Sequence, residues 1–184
     1  MSDAATVAEA LQSHYAASGL PRDGGRSAEQ WTLELGPLRV RLNNFAWRRR
    51  ALQDHDVHHL LTGYARTPAG ELEIAAWEFA AGRFPNLFST LFCLPLVSIG
   101  ALVIPRRSFA AFARGRRSRT LYGTPMSAEL LALPLREVRR RLVADTQQPI
   151  TLRDLIDYLG LASLSLALLA APISALAILF LTRG

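Results

Sequence analysis

HDVHHLLTGYARTPAGE, residues 55 to 71, gathers three of the chain's four histidines and two carboxylates into one short stretch. At about 100° per residue, His55 and His59 fall one turn apart on a single helix face, with Asp56 beside them. Thr67-Pro68-Ala69-Gly70 reads as a break that ends this helix and starts another. Antiparallel helices joined there return Glu71 towards both imidazoles, and a carboxylate in a first turn is favoured by the helix dipole. Apolar residues surround these positions, Val57, Leu60 and Leu61 on one side and Leu72, Ile74 and Trp77 on the other. The stretch therefore predicts a helical hairpin with His55, Asp56, His59 and Glu71 as candidate ligands.

Two imidazoles and one or two carboxylates form a nitrogen and oxygen site that suits zinc, and also iron(II) or manganese. Two or three firm ligands leave coordination positions open, as in a catalytic rather than a closed structural site. The same letters are also compatible with a solvated helix face. His55, His58 and His59 fit the H-x-x-H-H box of membrane desaturases and hydroxylases as well, but those enzymes need several boxes. The chain has four histidines, the fourth being His14, so that assignment fails by ligand count. His58 is expected to face solvent or to support a ligand.

H-D-x-x-H followed by eleven residues and E resembles the proposed zinc motif of the Coq-four family of ubiquinone (coenzyme Q) biosynthesis, position by position at His55, Asp56, His59 and Glu71. The neighbouring words are similar too: His59-Leu-Leu-Thr-Gly63, Gly70-Glu-Leu72 and Trp77-Glu-Phe79. Arg114-Gly-Arg-Arg117 and the Leu135 to Leu142 segment are similar to a basic stretch and a terminal helix of that family. The resemblance covers about residues 50 to 143, strongest at the motif. It implies a helical metalloprotein of quinone biosynthesis, associated with oxidative decarboxylation of the head ring and with organising a biosynthetic complex. The β-hairpin expected before the motif departs from the family, whose corresponding region is helical.

The 184 residues suit one domain with appendages. A single cysteine, Cys93, excludes an internal disulfide. All 21 basic residues are arginine. Residues 1 to 83 hold nine arginines against ten acids, residues 106 to 158 eleven against five, so positive charge gathers behind the first long apolar run. Anionic lipid is a fitting partner for such a segment. No helix-turn-helix, zinc-finger or aromatic RNA-binding signature accompanies it, which argues against nucleic acid.

Outward from the motif, Val7, Leu11 and Tyr15 form the apolar stripe of a short N-terminal helix, and nothing there resembles a secretory signal. Alternation in Trp31 to Leu35 and Leu38 to Leu42 around Gly36-Pro37 predicts a β-hairpin. Phe84 to Pro105 is uncharged and punctuated by Pro85, Pro95 and Pro105. It is expected to be a membrane-embedded or re-entrant segment, with Phe84, Leu87, Phe88, Leu91 and Leu94 as lipid-binding residues. An amphipathic basic helix follows over 108 to 119, then helix over 127 to 143 interrupted by Pro134, then a break at Gln147-Gln148-Pro149. Thr151 to Asp154 has capping-box spacing, and the uncharged stretch 158 to 182 is long enough to cross about 30 Å of hydrocarbon.

The expected fold is mainly α: an N-terminal arm and β-hairpin (1 to 45), a Coq-four-like metal-binding helical domain (46 to 150, including the hydrophobic segment 84 to 105), and a C-terminal transmembrane anchor (151 to 184). The positive-inside rule puts the metal domain on the cytoplasmic face of a membrane. The expected function is a membrane-associated metalloprotein binding a polyprenyl quinone, prenylated phenol or other hydrophobic lipid, with a divalent metal, zinc foremost, and other biosynthetic proteins as partners. Zinc performs no redox chemistry itself, so an oxidative step requires oxygen acting on an electron-rich phenol, or a redox metal. The alternatives are a non-enzymatic membrane scaffold with a structural metal and a metal-dependent lipid hydrolase; no general base like the Glu of H-E-x-x-H supports the latter.

Overall fold

A computed structural model describes residues 4 to 35, 38 to 145 and 149 to 183. The chain is mainly helical, in the order α1 (Val7–Ala17), β1 (Gln30–Leu35), β2 (Leu38–Asn43), α2 (Ala46–Thr62), α3 (Pro68–Ala81), α4 (Leu87–Val103), α5 (Pro105–Gly115), α6 (Ala128–Ala132), α7 (Leu135–Leu142) and α8 (Leu152–Arg183). The strands pair antiparallel with Trp31 opposite Leu42 and Leu33 opposite Val40. The expected turn at Gly36-Pro37 and the Gln147-Gln148 break lie outside the described residues. Trp31 and Trp47 both pack on Phe92, with ring centroids 5.9 and 5.7 Å away, so the hairpin leans on α4.

Local chemistry sets the helix ends. Helix α2 stops at Gly63, whose left-handed φ of 80° favours glycine, and not at the Thr-Pro-Ala-Gly segment. Thr67 instead caps α3 by accepting from Gly70 N–H, and Pro68 takes the first helical position, where its missing N–H costs nothing. Arginines complete the C-terminus of α2. Arg139 donates to the carbonyls of Leu60 and Leu61 (both 3.0 Å), and Arg114 to that of Thr62 (2.9 Å). Cations there satisfy carbonyls left without intrahelical partners and complement the dipole.

Two apolar clusters meet at the α2-α3 hairpin. The first joins α1, α2, Leu121 and α7, with Val7, Tyr15, Val57, Leu61, Leu135 and Val138 buried. The N-terminal arm is thus part of the core, tied to the start of α7 through Val7 N–H to Leu133 O and Leu135 N–H to Ala5 O, each 2.9 Å. The second joins α3, α4, α5 and α8 around Trp77, Val97, Phe112 and Tyr158. Helix α5 buries its apolar side on α3, where a Cβ on Gly115 would lie 2.4 Å from the Trp77 carbonyl.

The apolar segment 84 to 105 forms one helix, Pro95 included, of 17 residues. At 1.5 Å per residue it is about 26 Å long, short of a bilayer core. Both flanking segments return to the same body, since Arg107 of α5 binds Glu73 of α3 at 3.0 and 2.7 Å. Helix α8 begins with the reciprocal capping box of Thr151 and Asp154, and Arg116 and Arg117 hold Asp154 at 2.9 and 2.8 Å. It then runs back along α4. Tyr158 meets Phe109 and Phe112, while further on Ser165 donates to Leu94 O (2.7 Å) and meets Ser98 Oγ (2.9 Å). Leu152–Ala171 is long and apolar enough to cross a membrane, and with 22% of it buried it differs from a core helix.

Candidate metal centre

The hairpin brings His55, His59 and Glu71 together, with one ligand atom from each inside a 4.8 Å group. The Nε2 atoms of His55 and His59 are 3.2 Å apart; Glu71 approaches His55 Nε2 through Oε2 and His59 Nε2 through Oε1, each at 3.3 Å. Ligand atoms about 2.1 Å from a common ion sit roughly 3.0 Å apart in octahedral geometry and 3.4 Å in tetrahedral geometry. The two Glu71 distances belong to its two oxygens, and the three residues form a group that can hold a metal ion.

Hydrogen bonds aim both imidazoles. His59 Nδ1 donates to the Tyr64 carbonyl at 2.8 Å and His55 Nδ1 to Glu78 Oε1 at 3.0 Å, which turns both Nε2 atoms towards the centre. Burial alone would lower the His55 pKa, but the Glu78 and Glu71 carboxylates outweigh it and hold it well above the usual histidine range. Burial likewise favours protonated Glu71, yet the hydrogen bonds and charges of His55 and His59 keep it well below the usual carboxylate range. The Glu71 side chain is 37% exposed and that of His55 24%, so the centre opens on one side. Three protein ligands and an opening leave space for water or substrate oxygens.

Asp56 is not brought to this group. Its buried carboxylate accepts from Tyr15 OH at 3.0 Å and pairs with Arg66 Nη1 at 3.2 Å, joining α2 to α1 and to the turn before α3. Its partners are not histidines, whereas Glu78 Oε1 meets both His55 Nδ1 and His58 Nδ1. His58 is fully buried and touches that same Glu78, as a supporting residue rather than a solvent-facing one. Glu78 had a signal in the sequence: it lies seven residues, two turns, after Glu71, and it is a lone acid between Trp77 and Phe79 in an apolar helix.

Of the expected lipid-binding residues, Leu87, Phe88 and Leu91 point outward, each more than half exposed. Leu94 is buried against α8, and Phe84 packs on Phe79 and Tyr122 at 4.7 and 5.2 Å. Burial, together with the charges of Glu78 and Glu71, pushes the Cys93 thiol pKa upward. Comparison of the chain with family models, curated proteins and solved structures finds no match.

Proposed function

We propose that the chain is a membrane-anchored metalloprotein that holds a divalent cation, zinc foremost, on His55, His59 and Glu71 and receives the oxygen-bearing head group of a prenylated phenol or quinone. The observation that carries this proposal is the convergence of two Nε2 atoms and one carboxylate, open on one side, beside a helix whose outer face is apolar. When bound, the cation supplies Lewis acidity to head-group oxygens. The chain's residues do the rest. Tyr64 O and Glu78 fix the two imidazoles, and Glu71 contributes negative charge at the opening. Leu87, Phe88 and Leu91, with the exposed leucines of α8, offer an apolar path for a prenyl tail.

Helix α8 anchors the protein, and the body carrying the centre stays on one side of the membrane because α4 is a packed part of it. A role in ubiquinone-type biosynthesis, including oxidative decarboxylation of the head ring, follows from the motif's resemblance to the Coq-four family. Purification in mild detergent, with bound metal measured by elemental analysis and lipid by mass spectrometry, tests the proposal in wild type and His59→Ala. Near-stoichiometric metal with a prenylated phenol or quinone is expected in wild type, and metal loss in the variant. Absence of metal from both proteins would overturn it.

A further inference from the structure

Beside the three candidate ligands lies a sealed cluster. Glu78, 1% exposed, meets three groups through its Oε1 atom: His55 Nδ1 at 3.0 Å, His58 Nδ1 at 2.7 Å and Tyr122 OH at 2.8 Å. His58 in turn accepts the backbone N–H of Leu121 at its Nε2, at 2.8 Å. A backbone amide only donates, so that nitrogen carries no proton, and the proton of neutral His58 sits on Nδ1, aimed at Glu78. The ring also packs beside Trp77 and Tyr122, with centroids 5.3 and 4.9 Å away. Both ring nitrogens of His58 are thus assigned.

From this arrangement we infer that Glu78 is a positioning residue for His55, and that the Leu121-Tyr122 segment holds Glu78 in place through His58 and the Tyr122 hydroxyl. The inference rests on the metal-centre proposal. A carboxylate on Nδ1 selects the His55 tautomer with a free Nε2 lone pair and raises its donor strength, and loss of such a partner typically weakens metal binding about 10 to 100-fold. The segment after α5, 63 residues beyond His58, is thereby joined to α2 and α3 by two hydrogen-bonded routes, one through a backbone amide and one through a phenol.

Purified full-length protein in detergent provides the test, with Co²⁺ as the probe. Titration followed by Co²⁺ absorption is expected to show affinity about 10 to 100-fold weaker in Glu78→Gln, with altered bands, and a smaller loss in Tyr122→Phe, with thermal unfolding confirming that each variant is folded at the titration temperature. Nitrogen-15 NMR of the histidine rings is expected to find His58 protonated on Nδ1 alone. Wild type that takes up no Co²⁺ would overturn the centre itself, and the positioning role with it. Wild type that binds while both variants bind as tightly and with the same spectrum would overturn the positioning role alone. A His58 proton on Nε2 would remove the link to Leu121. If Glu78→Gln does not fold, Tyr122→Phe carries the comparison.

Discussion

Glu71 and Glu78 stand two turns apart on one side of α3, and both touch His55, one at each ring nitrogen. Their surroundings separate them. Glu71 is more than a third exposed at the mouth of the centre, so water or an ion can reach its oxygens. Glu78 is sealed, with its Oε1 atom taking three neighbouring groups. A carboxylate at an opening is available to a cation, whereas one enclosed by hydrogen-bond donors holds its neighbours in position. Identical chemistry thus acquires different work from solvent access alone.

The sharpest way to break this comparison is to truncate each acid. Glu71→Ala is expected to abolish metal uptake in a Co²⁺ titration, as is His59→Ala, and, because Glu71 is partly exposed, to change stability by within about 1 kcal/mol. Glu78→Ala is expected to cost about 3 kcal/mol in denaturant unfolding, because His55, His58 and Tyr122 all lose a buried partner. Equal effects of the two truncations on stability would erase the distinction.

Asp56 sharpens it further, being adjacent to a ligand in sequence but turned away in space. Asp56→Asn is expected to lower stability by about 1 to 2 kcal/mol through its Tyr15 and Arg66 partners, with Co²⁺ affinity unchanged. A large loss of affinity would return Asp56 to the ligand set.

The smallest expected effect is on pH dependence. The raised His55 pKa contributes stability that is fully present below the ordinary value of 6.5 and lost as pH rises through the folded value. The depressed Glu71 and Glu78 pKa values contribute stability present above 4.5 and lost as pH falls. In chelator, thermal unfolding should therefore be most favourable to the fold between these limits, and the alkaline loss should shrink in Glu78→Gln. Bound metal reverses the alkaline trend, since a proton on His55 Nε2 competes with it.

Much of the fold was legible because its signals are local. The apolar stripe of α1, the alternation of the hairpin, the Thr151-Asp154 cap and the Pro134 interruption each involve neighbours within a few residues. His55, His59 and Glu71 were legible for a related reason: a helical period and one short turn suffice to align them. Asp56 was misleading because residues one apart on a helix diverge by about 100°, and only the position of α1 shows that this direction leads to Tyr15. Basic charge was visible, but its destinations, Arg139 on α2 carbonyls and Arg117 on Asp154, join segments far apart in the chain.

By itself, then, the sequence determined the helices, the hairpin, the ligand face and a C-terminal helix with the length and apolarity to cross a membrane. Tertiary structure alone decided that α4 packs into the body, that Glu78 rather than Asp56 meets His55, and that the loop at Leu121-Tyr122 reaches His58 and Glu78. The physical reason is range: periodicity and capping act over one or two turns, whereas burial and the partner of a buried charge depend on which distant segments close around it.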